Sequence, residues 1–466
     1  MRPLSLAGRL QRRRCSGVQS SRLWERPPAR AWCDHFVVII WATVFQFALY
    51  RIFIERVAEQ HMALTAEPSL GPAWLPVGIL GTSFLSLSMP RVVVTGSHAA
   101  VWVLFIVLVL PAWVHIYAVG AEGHAVQYVL IVVLPILAIA SLTQREVFAS
   151  GDAFDPKRLR VFAAVCLSIC VLLIPALLRN FPTSYSLYDV YERRLNFRTE
   201  SRGELLGYLL SNTKYAVIPV SLAVAASLRR WSWMMLAVTM AVLVFFTDGS
   251  KLTLALPILM IFLHGAFAAT RRSPTAVVGG LGLCAVLAWL VAHPDLDLLV
   301  IRRAFFVPVD LTLQAIAYVD DFGPTQGLDI PIVAQVFYDS PASPPFSMVL
   351  GSHLNASGAT NANVSAFVTG YAQLGWWGVG VVLFSVAILL RALDRVCRGR
   401  PRTLGVVCGL VSGIVLSESA ITTTLLTNGL AGMILCCWFL RPQPSTCSDD
   451  VLGEQSLTPS PRHRCN

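Results

Sequence analysis

Long apolar runs, separated by short polar and arginine-bearing segments, fill most of the chain. A membrane-spanning helix needs about 20 consecutive, mostly apolar residues. On that ruler about twelve spans are predicted, at 36–54, 73–89, 99–118, 126–142, 159–178, 205–228, 231–247, 252–269, 274–292, 364–390, 403–420 and 424–440. The runs 231–247 and 424–440 are near the lower limit. The connections 228–231 and 248–251 are so short that the helices they join must form antiparallel hairpins. The predicted fold is therefore an all-α polytopic membrane protein, with one long outer loop between the ninth and tenth spans. Residues 1–35 form a basic cytosolic tail, 36–440 the transmembrane domain and 441–466 a polar cytosolic tail.

Composition agrees with the pattern. The chain has 466 residues, 55% of them hydrophobic and only 13% charged, against about 25% charged residues in soluble domains. Its net charge of +10 does not form a nucleic-acid patch, because the arginines lie in the tails and between apolar runs. With the arginine-rich N-terminus inside, the inner loops hold Arg91, then Arg145 with Lys157, Arg158 and Arg160, then Arg229–Arg230, Arg271–Arg272 and the cluster 391–402. That is the positive-inside pattern, and an even number of spans returns the C-terminus to the same side. Residues 1–35 lack the apolar core of a cleaved signal peptide. The 11 cysteines have no ligand spacing and none falls in a predicted outer loop, so neither a disulfide framework nor a zinc site is expected.

Two outer loops break the positive-inside rule. The loop 179–203 carries Arg179, Arg193, Arg194, Arg198 and Arg202, with Tyr185, Tyr188 and Tyr191 among them. The loop 293–363 opens with Arg302 and Arg303. The plainer explanation is ion pairing with Asp189, Glu192, Glu200 and Glu204 in the first loop. Two separate arginine-bearing loops on one face tip the balance toward an anion site at the bilayer edge.

Other positions carry the same two readings. Lys214 lies about halfway along an apolar run, with Tyr208 and Asn212 before it, and pairs either with a carboxylate of another helix or with an anionic substrate. Asp248-Gly249-Ser250-Lys251 is a tight outer turn in which Asp248 and Lys251 pair. Equally, its free backbone N–H groups and Lys251 suit a phosphate. The loop 293–363 exceeds the length of an ordinary connection. Its apolar residues, such as those in Ala334-Gln335-Val336-Phe337-Tyr338, predict a folded lid with one or two short helices. Asp310, Asp320, Asp321, Asp329, Asp339 and His353 are its candidate proton-transfer groups. Glu418 begins a hydroxyl-rich last outer turn and, so near the apolar phase, needs a partner.

Four blocks in order resemble the oligosaccharide repeat-unit polymerases of the O-antigen polymerase (Wzy-type) family. They are Tyr191-Glu192-Arg193-Arg194, then Asp248-Gly249-Ser250-Lys251, then Arg302-Arg303-Ala304-Phe305-Phe306-Val307-Pro308. The fourth is Asn361-Ala362-Asn363 through Gly370-Tyr371 to Gly375-Trp376-Trp377-Gly378. The final Thr424-Leu425-Leu426-Thr427-Asn428-Gly429 is similar to that family's C-terminal block. The chain departs from the pattern after Asn363, where Val364-Ser365-Ala366-Phe367 replaces an expected glycine and acidic residue.

The resemblance implies a GT-C-like membrane glycosyltransferase that joins polyprenyl-pyrophosphate-linked repeat units on the periplasmic face of the bacterial inner membrane. Donor and acceptor are both lipid-linked, no cofactor or metal is used, and a chain-length regulator protein is the expected partner besides membrane lipid. Outer arginines fit such a donor, because a guanidinium grips phosphate oxygens bidentately and preorganised cations stabilise the charge on a departing pyrophosphate. Arg193, Arg194, Arg302, Arg303 and Lys251 are assigned that role, with Lys214 beside them. His353, Glu418 and Glu192 are the candidate bases. Tyr191, Asn361, Asn363 and Tyr371 suit sugar hydroxyls. A lipid-linked oligosaccharide flippase or polysaccharide transporter has about as many spans, but shows internal repeats that this chain lacks. An O-antigen ligase-type enzyme would share the anion site and differ in its acceptor.

Overall fold

The computed structural model describes residues 28–58, 70–143, 154–179, 205–249, 253, 257–258, 262, 274–293, 297–339, 343–354 and 362–441. Every regular element among them is helical. Eight helices are long and apolar enough to cross a membrane. In the order used below these are α1 (Asp34–Val57), α3 (Gly96–Ala118), α4 (Glu122–Thr143), α5 (Pro156–Pro175), α6 (Leu206–Leu228), α7 (Trp231–Asp248), α13 (Trp376–Cys397) and the segment Ile421–Phe439. Between them come the shorter apolar helices α2 (Trp74–Ser88) and α8 (Val277–Val291), and α14 (Arg402–Glu418). The protein is a polytopic α-helical membrane protein. The expected spans at 36–54, 99–118, 126–142, 159–178, 205–228 and 231–247 coincide with these helices to within a few residues. Most of the span expected at 252–269 lies outside the described residues.

Apolar stripes left on the outside of the bundle show which faces meet lipid. On α13, Trp377, Val381, Phe384 and Ile388 recur at the spacing of one helix face, and all are exposed. An apolar stripe of that kind would be a liability in water and is the ordinary surface of a spanning helix. The opposite face of α13 buries Val379, Val382, Val386 and Leu390.

Where helices meet each other, small residues take over. Along α14 the glycines run at four-residue spacing, and α3 lies directly on them. A Cβ at Gly409 would fall 1.9 Å from the backbone oxygen of Gly96, and one at Gly413 would fall 2.7 Å from that of Ala100. Without a hydrophobic drive between helices in lipid, such backbone approach supplies the association through dispersion contacts. The buried Asp394 of α13 fixes the third helix at this junction. Its carboxylate accepts hydrogen bonds from Ser97 N (3.0 Å) and Ser97 Oγ at the start of α3. Between α1 and α2, Gln46 Nε2 donates to Ser83 Oγ (2.8 Å), and Thr82 Oγ1 donates to Gln46 Oε1 (2.6 Å).

The bundle has two distinguishable ends. At the Asp34 end, His98 has Nδ1 3.0 Å from Val92 O and Nε2 2.9 Å from Thr143 O, tying α3 to α4. At the Val57 end, Arg56 donates to Ala288 O (3.2 Å) and to Trp289 O. A cation there meets the orphan carbonyls and negative pole of α8. From mid-bundle to this end the helices depart from ordinary α geometry. Wide, π-helical turns occupy Phe53–Val57 at this end, and Phe105–Val109 and Val129–Val133 near the middle of α3 and α4. A fourth π-helical stretch, Asp297–Phe306, packs against the first two.

The region expected as an outer lid carries more structure than its polar composition suggests. After the π-helical stretch come α9 (Val307–Phe322), α10 (Pro331–Tyr338) and α11 (Phe346–Leu354), so it holds three helices rather than one or two. Asp329 staples them. Its Oδ1 accepts from Thr325 Oγ1 (3.0 Å), and its Oδ2 accepts from Gln373 Nε2 (2.8 Å) and Phe346 N (3.3 Å).

The span expected at 364–390 is not one helix. It is α12 (Ala366–Leu374) followed by α13, broken at Gly375. Gly375 adopts φ +60°, ψ −143°, a region open essentially to glycine alone. The break lets α12 fold back on α13, where Gly370 and Gly378 meet backbone to backbone. Likewise the span expected at 424–440 divides into α15 (Ile421–Leu426) and α16 (Leu430–Phe439), with Gly429 at φ +76° between them.

Candidate functional site

The π-helical turns, from mid-bundle to the Val57 end, bring together groups far apart in sequence. A π-helical turn inserts one residue and leaves a backbone group without its usual partner, and such turns are frequent at functional sites. The phenol of Tyr128 on α4 donates to Leu108 O inside the π turn of α3, at 2.7 Å. Beyond that turn α3 presents His115, fully buried, with Nε2 3.4 Å from Asp310 Oδ1 on α9. The imidazole is walled by two rings. Phe306 stacks on it with centroids 5.8 Å apart, and Phe53 meets it edge-on at 5.2 Å. Phe305, the neighbour of Phe306, reaches Phe45 in the middle of α1 at 5.1 Å. The segment 297–306 is thus anchored within the bundle and does not float above it.

Arg302 belongs to this anchored segment. Its side chain is half-buried, and its Nε is wholly buried with no hydrogen-bond partner. Arg303 is exposed. One turn beyond Asp310, the Nε2 of Gln314 is likewise buried with no hydrogen-bond partner. Two unspent donors therefore flank Asp310 along one stretch of chain. An unsatisfied buried donor costs about 1–3 kcal/mol, and an oxygen-rich ligand would relieve both.

A second cluster centres on Lys214, which sits in another π-helical turn, Thr213–Val217. Its Nζ lies 3.7 Å from Asp248 Oδ2 and 4.5 Å from the centre of the Tyr215 ring. Gly429 packs against Tyr215 and Ala216, and Gly432 against Asn212. The lysine, the first residue of Asp248-Gly249-Ser250-Lys251 and the Thr427-Asn428-Gly429 segment are therefore neighbours in space. Asn428 Nδ2 donates to Ser419 Oγ at 2.7 Å, closing the hydroxyl-rich turn.

The remaining expected site residues divide. Tyr191, Arg193, Arg194, Lys251 and Asn361 lie outside the described residues. Asn363 and Glu418 are exposed. His353 is exposed at the end of α11, its ring edge-on to Tyr318 and Phe322 at 5.3 and 5.5 Å. Tyr371, expected as a sugar ligand, is buried in α12 against Trp376. Burial, then the charge of Asp320, push its phenol above the usual range. Asp320 in turn accepts from Gln127 Nε2 with both oxygens, at 3.1 and 2.9 Å, and Asp329 is the staple described above. Both carboxylates hold the lid.

His115 was not among the expected residues. The signal for it existed, because an ionisable group inside an apolar span is a functional hypothesis by default. Its partner could not be read in advance, since Asp310 is 195 positions away. Among the described residues no group of three or more His, Cys, Asp or Glu is placed to hold a metal. No family model matches the chain, and neither a curated protein nor a solved structure matches it.

Proposed function

We propose that this protein is a membrane glycosyltransferase that polymerises polyprenyl-pyrophosphate-linked oligosaccharide units. The anion site lies at the Val57 end of the bundle, on the periplasmic side of a bacterial inner membrane. In this reading the chain has about twelve spans with both termini cytosolic. Lipid-linked donor and acceptor reach the site through the bilayer, and a chain-length regulator is the expected protein partner.

The observation that carries the reading is Arg302, whose Nε is buried without a hydrogen-bond partner on a segment anchored between α1 and α3. An arginine held that way is preorganised for an oxyanion and needs little reorganisation when charge develops on a leaving pyrophosphate. Its neighbours extend the site. Arg303 is exposed to the approaching phosphate, and Arg193 and Arg194 belong to the same motif set in sequence. The ordered resemblance of four sequence blocks supplies the substrate class.

One observation favours the rival flippase reading. The helices broken at Gly375 and Gly429 are the kind of discontinuity that transporters place at their substrate sites. The two readings separate in cells of the source organism that lack the gene, complemented with wild type or Arg302→Ala. A polymerase variant loses the glycan ladder while single units are still exported and transferred. A flippase variant fails to deliver single units to the outer face. A normal ladder with Arg302→Ala at normal abundance sinks the anion-site assignment.

A further inference from the structure

The glycosyltransferase reading leaves one chemical role without an occupant. When the acceptor oxygen bonds to the donor's anomeric carbon, the carbon–oxygen bond to pyrophosphate breaks and its electron pair leaves on the phosphate. The acceptor's hydroxyl proton must go to a base within hydrogen-bond reach.

We infer that Asp310 is that base and that His115 is the residue that positions it, an assignment resting on the proposed glycosyltransferase activity. Four observations converge. Asp310 lies on the helix that continues directly from the Arg302 segment, so one stretch of chain carries both the proton acceptor and the cation for the leaving group. Its side chain is 12% exposed, whereas His115 is wholly buried, so a substrate hydroxyl meets the carboxylate and not the imidazole. His115 Nε2 lies 3.4 Å from Oδ1, and the rings of Phe53 and Phe306 hold the imidazole in that direction. Gln314, one turn along the same face of α9, keeps a buried Nε2 with no hydrogen-bond partner, a donor suited to a neighbouring sugar oxygen.

Four other carboxylates are held elsewhere. Asp320 and Asp329 bind the lid, Asp248 is paired with Lys214, and Asp394 holds the start of α3 at the opposite end of the bundle. His353 is seated against Tyr318 and Phe322 on α9. As His115 donates from Nε2 to Oδ1, the carboxylate is held in place, and the proton passes from the sugar hydroxyl to a carboxylate oxygen of Asp310. Donor and acceptor balance without an oxidant or a third reactant.

The test uses the full chain reconstituted in vesicles of phosphatidylcholine and phosphatidylglycerol. The substrates are lipid-linked oligosaccharides extracted from source cells that lack the gene. Asp310→Asn is expected to lower kcat by about 100-fold or more, with KM nearly unchanged. Asp310→Glu keeps a base and recovers part of the rate. His115→Gln retains a donor and remains active, whereas His115→Leu falls toward the level of Asp310→Asn. Gln314→Leu raises KM and spares kcat.

Thermal melting of each variant in detergent reports folding. A loss of activity that only follows the loss of folded protein overturns the assignment, as does wild-type kcat in Asp310→Asn. If the wild-type chain makes no polymer from this mixture, the glycosyltransferase reading itself falls and the assignment goes with it. An active wild type beside an active Asp310→Asn overturns the assignment alone.

Discussion

Lys214 Nζ lies 3.7 Å from Asp248 Oδ2, joining the middle of one spanning helix to the end of the next. Both side chains are largely buried, and the lysine also rests against the Tyr215 ring. A charge in that position is tolerated only with its counter-charge beside it. Removing one partner is therefore worse than removing both. Asp248→Asn and Lys214→Met are each expected to cost about 3–5 kcal/mol, and the double variant less than either alone. Melting temperatures of the four proteins in detergent close the cycle. Equal losses that simply add would show that the two side chains are not coupled.

Arg302 and Arg303 are adjacent in sequence and unlike in structure. The first is anchored and carries a buried donor; the second is exposed. A preorganised donor to a developing oxyanion contributes about 2.7–4 kcal/mol, so Arg302→Ala should reduce turnover by roughly 10²–10³-fold. Arg302→Lys should not restore it, because an ammonium lacks the planar fork and the Nε donor. Arg303→Ala should act mainly on KM, and the effect should weaken as salt rises. Turnover by both variants at two ionic strengths decides between this division of roles and a site that uses the two arginines alike.

Asp394 is expected to matter for folding alone. Its carboxylate receives Ser97 N and Ser97 Oγ where α3 begins, at the end of the bundle away from His115. Asp394→Ala leaves the buried Ser97 N–H without an acceptor, at a cost of about 1–3 kcal/mol. Asp394→Asn keeps an acceptor oxygen and loses the charge at the helix N-terminus, for about 0.3–1 kcal/mol. Both should keep wild-type turnover per folded molecule. A rate defect in fully folded Asp394→Asn would place chemistry at the wrong end.

The spanning helices were legible because a run of apolar residues has one meaning in a bilayer, whatever its neighbours do. α1, α3, α4, α6 and α7 fall where hydropathy puts them. Hydropathy averages over single residues, however, and so ran straight through Gly375, where one backbone conformation ends α12 and starts α13. Lys214 was legible as a buried cation and Asp248 as a turn residue, but not as each other's partner. Of the two readings for Lys214, the structure shows the carboxylate neighbour, on the adjoining helix. The same limit applied to the candidate bases. Composition picked out Asp310 with five other lid groups, and only packing separates it from Asp320 and Asp329, which are tied into the lid. The π-helical turns have no composition of their own. They show only in the packed structure, as where Tyr128 donates to Leu108 O inside one of them.

The fold-back at Gly375 depends on a contact with no slack. An ideal Cβ on Gly378 would stand 1.8 Å from Gly370 O, and one on Gly370 would stand 2.6 Å from Val382 Cγ2 and 2.8 Å from Gly378 O. Since the obstructing atoms include backbone, neither clash can be relieved by turning a side chain. Gly378→Ala must therefore push α12 off α13. Because α12 also packs on α9, which carries Asp310, the displacement should reach the proposed site. The expected result is a lower melting temperature together with a rate loss in the molecules that remain folded. Gly380→Ala is the matched control, two residues away on the same helix, where an added Cβ meets nothing within 4 Å. Replacing a helical glycine by alanine there should stabilise α13 by up to about 1 kcal/mol. If both variants melt and turn over alike, the backbone contact between Gly370 and Gly378 does not hold α12 in place, and the link from the fold-back to Asp310 is lost.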